Sequence, residues 1–187
     1  QKALNSHMKN FRCENVVCKD ICETKSDEIP NCDIVVGGFP CQSFSTVNPT
    51  KDPFDDRANL YKQMVRVVRD KQPKVFIAEN VKGILSANKG EAVKIIKKRF
   101  ELDAYRLKIF LVNFADFGVP QLRERVLFIG IRNDIKTEFI PPEFTHKNNH
   151  ITSKEAFKNL PKDCIHTQHL KVSDKVIERL KHIPQGK

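Results

Sequence analysis

Four short apolar runs, and what lies between them, constrain the fold more than any other feature of this chain. Asp33-Ile34-Val35-Val36-Gly37-Gly38 is β-branched, continuous and too short for a helix, so it reads as a buried strand closed by glycines. From Asn59 to Asp70, Leu60, Met64, Val67 and Val68 fall at helical spacing, and Pro73 stops the run. Lys74 to Ala78 reads as a second strand, and Gly90 to Phe100 as an amphipathic helix with Ala92, Val93, Ile95, Ile96 and Phe100 set among lysines. Tyr105 to Val112 and Arg125 to Ile131 read as a third and a fourth strand. Strand, helix, strand, helix, strand predicts an α/β fold with a parallel sheet and helical crossovers. About a dozen residues without helical pattern join the last two strands, too few for a crossover, so an antiparallel hairpin is expected there.

Composition removes whole classes. The 187 residues are 40% hydrophobic and 30% charged, which suits a globular domain and argues against general disorder. No apolar stretch approaches the roughly 18 residues of a membrane span, and the first ten residues hold no secretory h-region. The expectation is a protein without membrane contact, in a cytoplasm where its 6 cysteines stay reduced. Cys13, Cys18, Cys22 and Cys32 are not spaced as paired zinc knuckles, and Cys164, His166 and His169 form an equally poor cluster, so no metal is expected. Lys and Arg outnumber Asp and Glu by 33 to 23, a net charge of +10 that favours polyanionic partners without saying which.

Open α/β sheets bind ligands beyond the carboxyl ends of their strands. Phe39-Pro40-Cys41-Gln42-Ser43-Phe44-Ser45 follows the first strand, and Glu79-Asn80-Val81 follows the second. Asn113 and an Asp116-Phe117-Gly118 turn follow the third. An antiparallel fourth strand would begin at that same edge, bringing Gln121, Arg123 and Arg125 beside the cysteine and the glutamate. A cysteine near arginines and backbone N–H groups can ionise and act as a nucleophile. A glutamate at the end of a buried strand is partly desolvated, so it can hold a proton and donate it. Arginines on alternate residues share a face and can grip a carbonyl or phosphate oxygen. Singly, each has a plainer explanation as a core thiol, a cap or a surface charge. Together they describe covalent attack on a polar heterocycle or an acyl group.

The ordered strings Gly37-Gly38-Phe39-Pro40-Cys41-Gln42-Ser43-Phe44-Ser45, Glu79-Asn80-Val81 and Gln121-Leu122-Arg123-Glu124-Arg125 resemble the motif set of the cytosine-5 DNA methyltransferases. The resemblance also takes in Asp55 to Leu60 and Asn113 to Pro120. It implies a Rossmann-like S-adenosylmethionine-dependent fold, with residues 1–135 as a partial catalytic core. Residues 136–187 would be a connector and the start of a target-recognition region. By the resemblance Cys41 adds to C6 of cytosine, Glu79 contacts the N3 and N4 edge, Arg125 holds the O2 side and Arg123 supports the same pocket. Gln42, Ser45, Asn80 and Gln121 would contact substrate, Ser45 at a phosphate.

The target base must leave the duplex to be reached, which costs a few kcal/mol. Asp20 and Ile21 would lie along the adenine of the cofactor, Leu60 at its edge and Pro40 near its methionine portion. The family's Gly-rich first motif, its recognition region and its last motifs are expected to lie outside this sequence. The function implied is C5 methylation of cytosine in double-stranded DNA, in a bacterial restriction-modification system at the nucleoid. The alternatives are one subunit of a split enzyme, completed by a second polypeptide, and a non-catalytic DNA-binding remnant. Methylation of tRNA is disfavoured by Phe39, where that branch carries a second proline before the cysteine.

Overall fold

β-branched and aromatic runs form four strands where the spacing places them: β1 (Ile34–Gly38), β2 (Val75–Val81), β3 (Tyr105–Asn113) and β4 (Glu124–Arg132). The helices are α1 (Lys2–Asn10), α2 (Leu60–Lys71), α3 (Glu91–Leu102), α4 (Ser153–Phe157) and α5 (Asp174–Lys181). The computed structural model describes residues 2–11, 16–40, 60–102, 104–158 and 172–183. Cys41, Gln42 and Ser45 lie outside the described residues, as do Cys13 and the Cys164, His166 and His169 cluster.

The sheet order is β1-β2-β4-β3. β1 pairs parallel with β2, in register from Ile34↔Val75 to Gly38↔Glu79. β4 pairs antiparallel with β2 on one side and with β3 on the other. The expected hairpin between the third and fourth strands is therefore present, and β1, β2 and β3 share one direction. They do not form a continuous parallel sheet, because β4 is inserted between β2 and β3. β2 also extends beyond its expected end at Ala78: Glu79, Asn80 and Val81 belong to the strand, paired with Leu127, Val126 and Arg125. The β4 ladder continues past the apolar run and carries these polar residues with it.

Strand alternation sends one set of side chains toward the helices. Phe76 and Ala78 of β2, Val126 and Phe128 of β4 and Tyr105 of β3 pack with Val68 of α2 and with Ala92, Ile96 and Phe100 of α3 in one buried cluster. Both crossover helices therefore cover the same face. The Phe76 ring stacks on Phe100 with centroids 4.3 Å apart and meets Tyr105 edge-on at 5.2 Å. The Tyr105 hydroxyl donates to the Pro73 carbonyl at 2.6 Å. Gly130 is the notch that admits Phe76: a Cβ there would stand 1.9 Å from Phe76 Cε1.

The opposite face is covered unevenly. Phe139 meets Phe110 at 5.8 Å, and Arg106 donates to the carbonyls of Asn133, Ile135 and Thr137, which lays the chain after β4 along β3. Ile34 and Val36 of β1 stay exposed. α4 starts in a capping box, with Thr152 Oγ1 accepting the Glu155 N–H and the Glu155 carboxylate accepting the Thr152 N–H. No helix among the described residues is long and apolar enough to cross a membrane.

Candidate active site

The carboxyl ends of β1 and β2 and the start of β4 meet around a concavity of about 290 Å³, lined by Pro40, Glu79, Arg123 and Arg125 among others. Glu79 and Arg125 lie on the face opposite the helices, because Arg125 pairs with Val81 and Glu79 with Leu127. That diagonal brings Arg125 Nε to 2.6 Å from Glu79 Oε1. Arg123 Nη2 stands 4.0 Å from the same oxygen. Gly38 is opposite Glu79 in β1, and a Cβ there would lie 3.2 Å from Glu79 Oε2. The glycine thus leaves room for the carboxylate.

The expected desolvation of Glu79 is only partial, since its side chain is 36% exposed and faces two guanidinium groups. The neighbouring carboxylate, Glu124, is drawn off by Lys82, whose Nζ lies 2.8 and 3.0 Å from its two oxygens. Glu79 is therefore the acidic side chain that faces the concavity.

Two asparagines hold the frame. Asn80 was expected to contact substrate, but strand alternation turns its side chain toward the helices, where it is 3% exposed. Its Nδ2 donates to the Phe39 carbonyl at 2.9 Å, and its Oδ1 accepts the Val81 N–H at 2.9 Å. The amide is spent on the backbone leading into Pro40. Asn113, which the sequence placed at the ligand-binding edge, ends β3. Its Oδ1 accepts the N–H groups of Ala115 and Arg123 at 3.2 and 3.1 Å, closing the base of the β3–β4 connection. Gln121 is exposed, does not line the concavity, and has its N–H bonded to the Val119 carbonyl.

A second, apolar cavity of about 310 Å³ adjoins the first. Ile21, Pro40 and Leu60 line it, with Met64 and Val67 of α2 adding to its wall. Helical spacing from Leu60 carries the signal for both, although the sequence reading stopped at Leu60. Gly37 lets Met64 approach, since a Cβ there would stand 3.0 Å from its Sδ. Asp20 does not line this cavity; its Oδ1 accepts the Cys22 N–H at 2.8 Å in a local turn. Gly38, Phe39 and Pro40 belong to both cavities, so one short backbone segment separates them. The apolar lining suits a flat heterocycle of nucleoside size.

An α/β sheet with an ion-paired carboxylate at its carboxyl edge, next to an apolar slot, has the layout of an open-sheet ligand site. The comparisons narrow the class. Residues 1–187 match the C-5 cytosine-specific DNA methylase family, and the chain belongs to it. It is 45% identical over 165 residues to the Type II methyltransferase M.NgoFVII of Neisseria gonorrhoeae, covering 84% of this chain and 44% of that protein. It is 41% identical over 168 residues to the Type II methyltransferase M.BspRI of Lysinibacillus sphaericus, covering 87% of this chain and 39% of that one. The chain thus spans less than half the length of either relative.

Among solved structures, a prophage-encoded E. coli protein assigned as a DNA modification methyltransferase superposes with a TM-score of 0.68 at 27% identity, over 87% of this chain and 47% of that one. A DNMT2 variant of Spodoptera frugiperda shares the fold, with a TM-score of 0.58 at 22% identity, over 74% of this chain and 42% of that one. The α/β architecture expected from the sequence is the architecture of these methyltransferases.

Proposed function

We propose that this chain is the catalytic core of a bacterial DNA (cytosine-5-)-methyltransferase of a restriction-modification system, acting in the cytoplasm on double-stranded DNA at the nucleoid. The observation that carries the reading is the Glu79–Arg125 pair at 2.6 Å, in a concavity walled by Pro40, the residue before Cys41. Cys41 adds as thiolate to C6 of a flipped-out cytosine, and the C5–C6 π pair shifts to C4–C5 as N3 takes the proton that Glu79 holds, leaving an enamine nucleophilic at C5. Glu79 meets the N3 and N4 edge and stabilises that form, while Arg125 and Arg123 hold the O2 side. Once C5 has taken the methyl group, whose S–C bond breaks to leave a thioether, the N3 proton returns to Glu79, and loss of the C5 proton to water with elimination of the Cys41 thiolate from C6 re-forms the C5–C6 double bond and frees the enzyme.

S-adenosylmethionine, when bound, supplies the methyl group. Ile21 and Leu60 would hold its adenine side in the apolar cavity and Pro40 its methionine side, with Asp20 contributing only if its local turn opens. Gln42 and Ser45 would contact the DNA, and Gln121 would reach it from its exposed position. Asn80 acts behind them by fixing the Phe39 carbonyl. Residues 1–135 form the core, and residues 136–187 lead toward a target-recognition region. The +10 charge draws the chain to the phosphate backbone. In the split-enzyme reading, a second polypeptide supplies the remaining motifs.

Mechanism-based trapping tests the proposal. Duplex DNA carrying 5-fluorocytosine, with S-adenosylmethionine and the chain, should give a protein–DNA adduct by denaturing mass spectrometry, absent from Cys41→Ser. Glu79→Gln should slow the adduct by about 100-fold while sparing DNA binding. If the chain alone forms none but does so when the relatives' remaining segments are supplied, the split enzyme is established. No adduct under either condition leaves the non-catalytic remnant.

A further inference from the structure

We infer that the Phe144–His150 segment is a strap that positions Arg123 at the site, with the Asp116–His150 contact as its fastening. The role given to Arg123 rests on the function proposed above. The β3–β4 connection runs from Phe114 to Arg123 with a single short 3₁₀ turn, Phe114–Phe117. Val119 and Leu122 beyond that turn are 40% and 78% exposed. Ala115 is buried and three backbone hydrogen bonds close the turn on itself, but the exposed part beyond it has little burial to offset the backbone entropy lost on ordering. Its order depends on contacts made by other parts of the chain.

At its base those contacts are the two hydrogen bonds to Asn113 Oδ1 and the Phe114 N–H to Arg123 carbonyl bond at 3.0 Å. They register Arg123 directly. At its tip the strap supplies a backbone hydrogen bond, a ring contact and a side-chain contact. The His146 N–H donates to the Asp116 carbonyl at 2.8 Å, and the Phe144 ring meets Phe117 at 5.4 Å. His150 Nε2 lies 2.7 Å from Asp116 Oδ1, a hydrogen bond in the Nε2–H tautomer and a salt bridge when the ring is protonated. The Asp116 side chain is 18% exposed and the His150 side chain 36%, so the contact is shielded on the Asp116 side and reached by water on the other.

Gly118, at φ +86°, completes the fit: a Cβ there would stand 3.0 Å from the His146 ring. The ring is held from behind by Thr145, whose Oγ1 lies 2.8 Å from Nδ1. Beyond His150 the chain enters α4 within three residues. A displacement of that downstream part pulls on Asp116, and through the closed connection on Arg123. The strap thus links residues after 150 to the arginine side of the site. His150 and Asp116 are positioning residues; neither lines the concavity.

Two variants and two kinds of readout test this. His150→Ala removes the fastening, and His150→Gln keeps an amide N–H near the place of Nε2. Amide hydrogen exchange reads the connection without needing activity. In His150→Ala the Ala115 and Arg123 amides should exchange about tenfold faster, with the β2 amides unchanged. Adduct formation on 5-fluorocytosine DNA should slow by about tenfold, with affinity for S-adenosylmethionine kept within about twofold, and the Gln variant should recover both. Unchanged exchange at the two amides overturns the inference. So does a loss of cofactor affinity and global stability together with no recovery in the Gln variant, because that marks a general packing role. If the wild-type chain forms no adduct even with the relatives' remaining segments supplied, the proposed function fails, while the exchange comparison still decides the strap.

Discussion

Asn80 offers the sharpest test of how the site is built, because its side chain makes two bonds and both partners are known. Asn80→Ala removes the donor to the Phe39 carbonyl and the acceptor of the Val81 N–H. Val81 is 37% exposed, so its N–H can turn to water at small cost. Phe39 is 7% exposed, so its carbonyl is left dry and unpaired. An orphaned buried group costs about 1–3 kcal/mol, and taking the middle gives a loss of about 2 kcal/mol. For a domain of this size that lowers Tm by about 4–8 °C. Urea unfolding followed by circular dichroism measures it, with adduct formation as the second readout. Because the Phe39 carbonyl precedes Pro40 and Cys41, adduct formation should fall further than stability alone explains.

Asn80→Asp sharpens the argument. It keeps the shape but places an acceptor 2.9 Å from a carbonyl oxygen, so at pH 7 it should be less stable than Asn80→Ala. Protonation restores the missing donor, which raises the folded-state pKa of that aspartic acid above its unfolded value. A raised acid is a penalty above its folded pKa, relieved as pH falls. The gap between the two variants should therefore narrow from pH 7 to pH 5. A loss under about 0.5 kcal/mol for Asn80→Ala, or wild-type stability for Asn80→Asp at pH 7, would refute the reasoning.

Two further outcomes follow from other parts of the fold. Gly130→Ala drives a methyl group into the Phe76 ring, which is fully buried and stacked on Phe100, and should cost about 1–3 kcal/mol or prevent folding; an unchanged melting temperature would mean that β2 and β4 separate more easily than their pairing implies. The Ser26 hydroxyl on Asp70, followed by Arg69, holds the Asp70 carboxyl below the usual carboxylate range. A lowered acid stabilises the fold at neutral pH and loses that contribution as pH falls through about 4 and below. The urea midpoints of wild type and Asp70→Asn should accordingly converge on acidification, and divergence would contradict the assignment.

Much of this was legible because periodicity and chemistry agreed. The β-branched runs of β1 and β4 and the helical spacing of α2 leave few alternatives, and a connection too short for a crossover forces the hairpin. The end of β2 was not legible. Glu79 and Asn80 are polar, and a polar pair after Ala78 reads as a loop until β4 is there to pair with it. The same residues then separate by alternation, Glu79 to the site and Asn80 to the core, a division no composition rule supplies. The insertion of β4 was equally hidden, since a hairpin after β3 can extend the sheet outward or fill the gap beside β2. The strap was invisible for a different reason: His150 stands 34 residues after Asp116, beyond β4, in a tail of prolines and asparagines with no period of its own. Residues 141–150 carry specific contacts, although their composition suggested only a connector.

The inserted strand is what gives the site its arginines. A parallel strand would bring its own carboxyl end to this edge, whereas antiparallel β4 begins there, with Arg123 and Arg125 beside the ends of β1 and β2. A register shift of one residue would turn Arg125 to the helix face and break its diagonal with Glu79. The core prevents that shift. Phe76 pairs with Gly130, and a slip in either direction would set Ile129 or Ile131 against a ring that already stands where a Cβ would lie. The notch at Gly130 and the ion pair at Arg125 lie five residues apart on one strand, facing opposite sides of the sheet. Selection for close packing on the helix side therefore fixes, through strand alternation, the direction in which the arginine presents its guanidinium to the glutamate.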